Sequence, residues 1–188
     1  DMKKFLTTIF VASTLLLALP SSADAALRLG ADVIWMPVAT TNVDADLENV
    51  ELDATHNVAS FGGAVHLNLG FDIFALGAKI NYFNQGIKLP SESIREDEID
   101  INAMSRIQFP STDFAIVAEG GLSTTPDQSG WGYNAALGTE FDVLGLPLVD
   151  LHLGMMGQYV NFPTEYNDAP SDIETLRGMI FVGGDFSL

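Results

Sequence analysis

The residues of this chain equipped to move protons or attack a substrate are few. His56, Ser60 and Asp53 lie close together in sequence. They are the ingredients of a relay in which an imidazole takes a hydroxyl proton and a carboxylate orients the imidazole. Acids and hydroxyls are frequent in any loop, so this trio is a weak constellation. His66 and His152 fall at alternating positions among apolar residues, where a neutral, hydrogen-bonded imidazole is the expectation. No Gly-rich phosphate loop, zinc-binding helix motif or nucleophile elbow occurs. The chain has no cysteine, which excludes disulfides, thiol catalysis and cysteine-ligated metal. The reading is therefore non-catalytic, with no metal and no cofactor.

Ten charged residues form a more regular set: Arg28, Asp32, Lys79, Asp100, Arg106, Glu119, Glu140, Asp150, Arg177 and Asp185. Each sits on the polar side of a segment whose alternate residues are apolar. A period of two is the signature of a strand with two unlike faces. Eight such segments run over about 27–36, 58–71, 74–83, 98–109, 114–123, 131–141, 148–160 and 173–188. Each approximates the 9–11 residues of a strand tilted across a bilayer. Their number is even, as single-chain bacterial barrels require. The predicted fold is all-β, an eight-stranded antiparallel up-and-down transmembrane barrel.

Aromatic residues sort by level. Trp35, Tyr82, Tyr133 and Tyr159 stand at the long-loop ends of their strands, and Phe71, Phe74, Phe109, Phe114, Phe141 and Phe186 at the short-turn ends. Two aromatic rings at two heights describe the paired girdle of a membrane barrel. A soluble barrel with its apolar face inward around a ligand is the alternative, and it has no reason to sort aromatics this way. The predicted short turns lie at 72–73, 110–113 and 143–147, and the longer connections at about 37–57, 84–97, 124–130 and 161–172.

With eight strands the interior is just wide enough for side chains to fill. The ten charged residues, with Asp142, are expected to pair there as a plug. Arg106 is expected diagonal to Glu119 across a strand pair, Arg28 near Asp185 where the barrel closes, and His66 opposite Lys79. A gated narrow pore is the alternative use of such a charged ladder.

Lys3 and Lys4, the apolar run over 5–19 and the Ala23-Asp24-Ala25 exit read as a secretory signal peptide over 1–25. That leaves a single domain over 26–188. The net charge is −17, which repels nucleic acid, since phosphate binding needs clustered Lys and Arg. Hydrophobic residues nevertheless make up 47% of the chain, so acids and apolar surface must be segregated. Many acids fall in the long connections. Solvation is the ordinary meaning of such runs. Divalent-cation bridging to lipopolysaccharide phosphates is the sharper one, although Asp44-Ala45-Asp46-Leu47-Glu48 lacks EF-hand spacing.

The tail, with Val182, Gly184, Phe186 and Leu188 on one face, resembles the C-terminal sorting strand of bacterial outer-membrane β-barrels, although that family usually ends in Phe. The whole pattern resembles the small eight-stranded barrels, the OmpA transmembrane domain and OmpX/Ail-like proteins. The resemblance carries no residue-specific functional motif. It implies an integral outer-membrane protein, exported through the periplasm, with a structural, envelope-integrity or adhesin-like role. Implied partners are outer-membrane lipid and lipopolysaccharide, and the barrel-assembly machinery during insertion, with the barrel a monomer. Small barrels that modify lipid A place catalytic His, Ser and acid residues on the lipid-facing wall or at the outer rim. A lipid A-modifying enzyme is thus a further alternative, for which Ser60, His56 and Asp53 are the candidates.

Overall fold

Alternating sequences form strands because each face then meets one medium. The computed structural model describes residues 26–45, 52–56, 60–71, 73–88, 93–126, 130–146, 149–166 and 169–187. The 1–25 leader reading and Leu188 of the sorting strand lie outside them. The described residues form β1 (Ala26–Ala45), β2 (Leu52–His56), β3 (Ser60–Phe71), β4 (Phe74–Lys88), β5 (Ser93–Gln108), β6 (Phe114–Thr124), β7 (Gly132–Gly145), β8 (Val149–Tyr166) and β9 (Ala169–Ser187). Every neighbouring pair is antiparallel, and β9 returns to β1. β2 and β3 are two pieces of one stave. β3 pairs with the lower part of β1 (Met36 with Ser60) and β2 with its upper part (Ala39 with His56). The result is a closed, eight-staved antiparallel barrel.

The register sets its shape. From Gly30, cross-strand partners run through His66, Lys79, Asn102, Gly121, Asn134, Val160 and Thr175 and return to β1 at Thr41. The circuit climbs 11 residues along β1. One of these is a bulge, since β1 carries an extra residue between Trp35 and Val38 relative to β9. Pro37 lies in that bulge, where a residue without an N–H costs no ladder bond. A shear of ten over eight strands tilts them by about 40° and gives a radius of about 8 Å.

Neighbouring residues on one strand fix which face meets what. Val33 is 70% exposed and Asp32 is 5% exposed; Ile80 is 49% exposed and Lys79 is 4% exposed. The apolar side chains point out and the ionised ones point in, the reverse of a soluble barrel. Leu67 and Leu151 likewise stand on the outer surface. An outer wall of this kind is stable only in hydrocarbon, where a closed barrel leaves no strand edge unpaired.

The strands are longer than their alternating segments. The connections expected at 37–57, 84–97 and 161–172 are largely strand: β1 runs on to Ala45 and pairs with β2, β4 reaches Lys88, and β8 and β9 pair as far as Tyr166 and Ala169. The alternation fades there because beyond the lipid both faces meet water, while backbone pairing continues. At the other end β7 runs to Gly145, with an irregularity between Asp142 and Leu144, so that turn is shorter than expected.

Candidate functional site

Every inward residue of the barrel belongs to the lumen, so the lumen is the site. Near its periplasmic end (the end with the short turns) four residues form a ring. His66 Nε2 is 2.6 Å from Asp185 Oδ1 and His66 Nδ1 is 3.6 Å from Asp32 Oδ2. His152 Nε2 is 2.8 Å from Asp32 Oδ1 and its Nδ1 is 3.7 Å from Asp185 Oδ2. Each imidazole stands between two carboxylates and each carboxylate between two imidazoles. Gly30 and Gly183 make room: a Cβ on Gly30 would lie 2.0 Å from His66 Nε2, and one on Gly183 would lie 2.0 Å from Asp32 Oδ1.

Lys79 leads upward from the ring. Its Nζ is 2.9 Å from both Asp32 Oδ2 and Glu119 Oε1. Glu119 Oε2 accepts from Asn102 at 3.1 Å and Asn81 at 3.5 Å. Asn134 donates to Asn102 Oδ1 and to Ser123 Oγ, both at 2.9 Å, and Ser123 donates to Asp100 at 2.6 Å. Asp100 also accepts from Gln158 at 2.7 Å.

Arg177 closes the upper part. Its Nε donates to Gln158 at 2.8 Å, and its two Nη groups reach Glu98 at 3.1 and 2.6 Å and Asp100 at 3.3 Å. Gln85 donates to Glu98 from the next strand. A continuous series of polar contacts therefore spans the lumen from Asp185 to Gln85.

Between and beside these groups lies an apolar cluster that includes Ile34, Met36, Phe83, Met104, Val117, Met156, Met179 and Phe181. Phe83 takes Arg177 on its ring face, and Phe181 has Lys79 5.2 Å from its ring centroid. The His152 ring meets Phe181 edge-on at 6.1 Å. Phe83 and Arg177 are 0% and 1% exposed.

The remaining charges sit lower. Arg106 donates to Glu140 at 2.7 Å and to Asp142 at 2.9 and 3.0 Å. Arg28 is 3.7 Å from Asp150. The placements are as expected and the contacts are not: Arg106 is paired with Val117, which leaves Glu119 diagonal to it, and Arg28 is paired with Ser187, two residues from Asp185. Arg106 does not take Glu119, which Lys79 and two asparagines occupy, and reaches across to β7 instead. Arg28 turns to Asp150 on β8, because His66 holds Asp185. His66 and Lys79 are paired residues of β3 and β4. Glu98 and Gln85 were missed. Parity carried two residues beyond Asp100 and Phe83 would have found them.

Ser60 faces the lumen, 4% exposed, and its Oγ accepts from the Gly86 amide at 2.9 Å. The side chains of His56 and Asp53 lie outside the described residues, as do most acids of the long connections. No group of His and carboxylates among the described residues is arranged to hold a metal.

Outside, the aromatics stand at both ends of the wall. The Phe109 and Phe114 ring centroids are 5.3 Å apart, and those of Phe114 and Phe141 are 5.0 Å apart. Phe71 pairs with Phe74 across their turn, and Phe186 pairs with Leu29 and Val149. Trp35 and Tyr82 stand on the other level, with Tyr133 and Tyr159 6.4 Å apart. Phe61 and Trp131, 55% and 56% exposed, add to the aromatic surface. Val182 and Gly184 line the outer face of β9.

A closed barrel with an apolar outer wall, two aromatic levels and an ionised interior is an integral outer-membrane β-barrel. No family model and no curated protein matches the chain. Solved structures similar to it include neisserial surface protein A, 14% identical over 86% of this chain and 97% of that one, TM-score 0.47. Ail, the attachment invasion locus protein of Yersinia pestis, is 11% identical over 85% and 98%, TM-score 0.48. The outer membrane protease OmpT of Escherichia coli is 11% identical over 91% and 99%, TM-score 0.41.

Proposed function

We propose that this chain is an insulating, non-catalytic barrel serving the outer membrane as a structural or surface-interaction element. The observation that carries the reading is the buried Arg177, held between Glu98 and Asp100 and stacked on Phe83 across the upper part of the lumen. An eight-staved barrel has little interior to spare, and here it is filled by ion pairs and by an apolar layer. The upper hairpins extend past the tyrosines and offer a polar surface where adhesive contacts would form. Lipid and lipopolysaccharide surround the wall, the assembly machinery receives the last strand, and the barrel works as a monomer.

Planar-bilayer recording tests it: the purified barrel adds no current steps, and steady single-channel openings would refute it. Shortening the β1–β2 hairpin is expected to change cell-surface binding or envelope resistance. Lipid A mass spectra should be the same with and without expression; altered acyl chains would make the protein an enzyme.

A narrow gated channel is the second reading. It is favoured by Lys79, equidistant from Asp32 and Glu119, a geometry in which one cation can change partners. Carboxylates outnumber cations along the lumen, so such a channel would select cations.

A further inference from the structure

Many glycines of the barrel wall are explained by what surrounds them. At Gly62, Gly77, Gly121, Gly138 and Gly154 an added Cβ would lie within 2.5 Å of another atom. Gly157 and Gly178 are different: a Cβ at either would meet nothing within 4 Å. They are paired directly across β8 and β9. Both belong to the outward parity of their strands, between exposed Met155 and Ile180 on one side and exposed Leu176 on the other. Leu137 is the partner of Gly157 on β7, and Val38, beside the Pro37 bulge, is the partner of Gly178 on β1. The missing side chains leave a shallow, largely open recess of about 440 Å³ in the outer wall, lined by Leu137, Met155, Ile180, Pro37 and the two glycines among others.

A glycine in a strand with open space above it weakens the strand and marks a place where something approaches the backbone closely. We propose that this recess seats one acyl chain of an outer-leaflet membrane lipid, holding it against the barrel. Three observations select that occupant. The recess is continuous with the lipid-facing wall and lies one row below Tyr159 and Leu176, so the medium at its mouth is hydrocarbon. No charged side chain lines it, which suits a methylene chain and excludes a headgroup. Its lining is ten residues on four strands, whereas a stable contact between two barrels takes about 20–30 residues a side. The inference is independent of whether the lumen conducts.

Photolabelling of the full barrel tests it. The protein is reconstituted at low density in dimyristoyl phosphatidylcholine vesicles carrying a trace of phosphatidylethanolamine with a diazirine on one acyl chain. Peptides are then mapped by mass spectrometry. Labelling at Leu137, Met155 and Ile180 is expected to exceed that at Leu67 and Val65, equally lipid-facing on β3, by several-fold. In G157L/G178L, which fills the recess, the excess disappears. In the milder G157A it falls part of the way. Even labelling around the wild-type wall would overturn the proposal, whatever the variants do. So would a barrel-to-barrel crosslink through these residues, which would make the recess the seat of a second copy.

Discussion

The guanidinium carbon of Arg177 lies 4.2 Å from the centroid of the Phe83 ring, and the same guanidinium bridges Glu98 and Asp100. One cation thus meets a ring face and two carboxylates at once, all buried. Replacing it by Met leaves two buried acids without a counter-charge. R177M is expected to lose about 3–5 kcal/mol, read as a lower urea midpoint in vesicle-bound unfolding. R177M/E98Q/D100N should recover much of the loss. An unchanged midpoint in R177M would mean that water already reaches these acids.

Lys79 and Glu119 are joined at 2.9 Å, with Asp32 equally close to the lysine. K79M and E119Q are each expected to destabilise. The double variant should lose less than the two singles together, with a coupling of about 0.5–3 kcal/mol. Strict additivity in a double-mutant cycle would show that the pair carries no net interaction.

Gly30 and Gly63 separate packing from propensity. A Cβ on Gly30 would strike the His66–Asp185 contact, while one on Gly63 has its nearest neighbour at 3.4 Å. G30A should fold with a loss of about 1–3 kcal/mol from overpacking, and G63A should be near neutral. Heat-dependent gel migration and unfolding midpoints would check both.

Adjacent residues on β4 test the sidedness of the wall. Ile80 faces outward and Lys79 inward. I80R places a charge in hydrocarbon and should cost about 2–4 kcal/mol at mid-wall depth. An I80R barrel as stable as the wild type would contradict the assignment of that face to lipid.

Beyond Tyr82 the β4–β5 hairpin carries Asp97, which accepts from Asn84 and from the Tyr82 hydroxyl, each at 2.8 Å. The Asn84 hydrogen bond, then that of Tyr82, holds its carboxyl below the usual range. A depressed value means that the contacts stabilise the hairpin above the unfolded pKa and are lost as pH falls through the folded one. NMR titration in micelles should find Asp97 protonating at lower pH than a free aspartate. N84A should shift it upward.

The fold could be read from the sequence because a lipid wall forces alternation: Val33 against Asp32, Ile80 against Lys79. Where that pressure ends, the reading ends too. Residues 38–45 and 161–166 have no alternation to betray them, yet both are strand. The apolar layer of the lumen was hidden for a related reason. In Val33-Ile34-Trp35-Met36 all four residues are apolar, so Ile34 and Met36 carry no contrast to mark them as inward. The partners of Arg106 were out of reach because a long guanidinium can choose among several carboxylates across a lumen. Local pairing rules see only its nearest neighbours.

The bulge at Pro37 gives β1 a spare link. Shortening the chain by one residue between Asp32 and Met36, or between Ala39 and Thr41, would preserve the count needed for closure but turn side chains over between the cut and the bulge. Removing Pro37 itself would turn none: Met36 and Ala39 would keep their inward aspect and the ring would still meet itself ten steps up. Indels surviving in descendants of this chain should therefore gather at that joint and at the similar slack after Asp142.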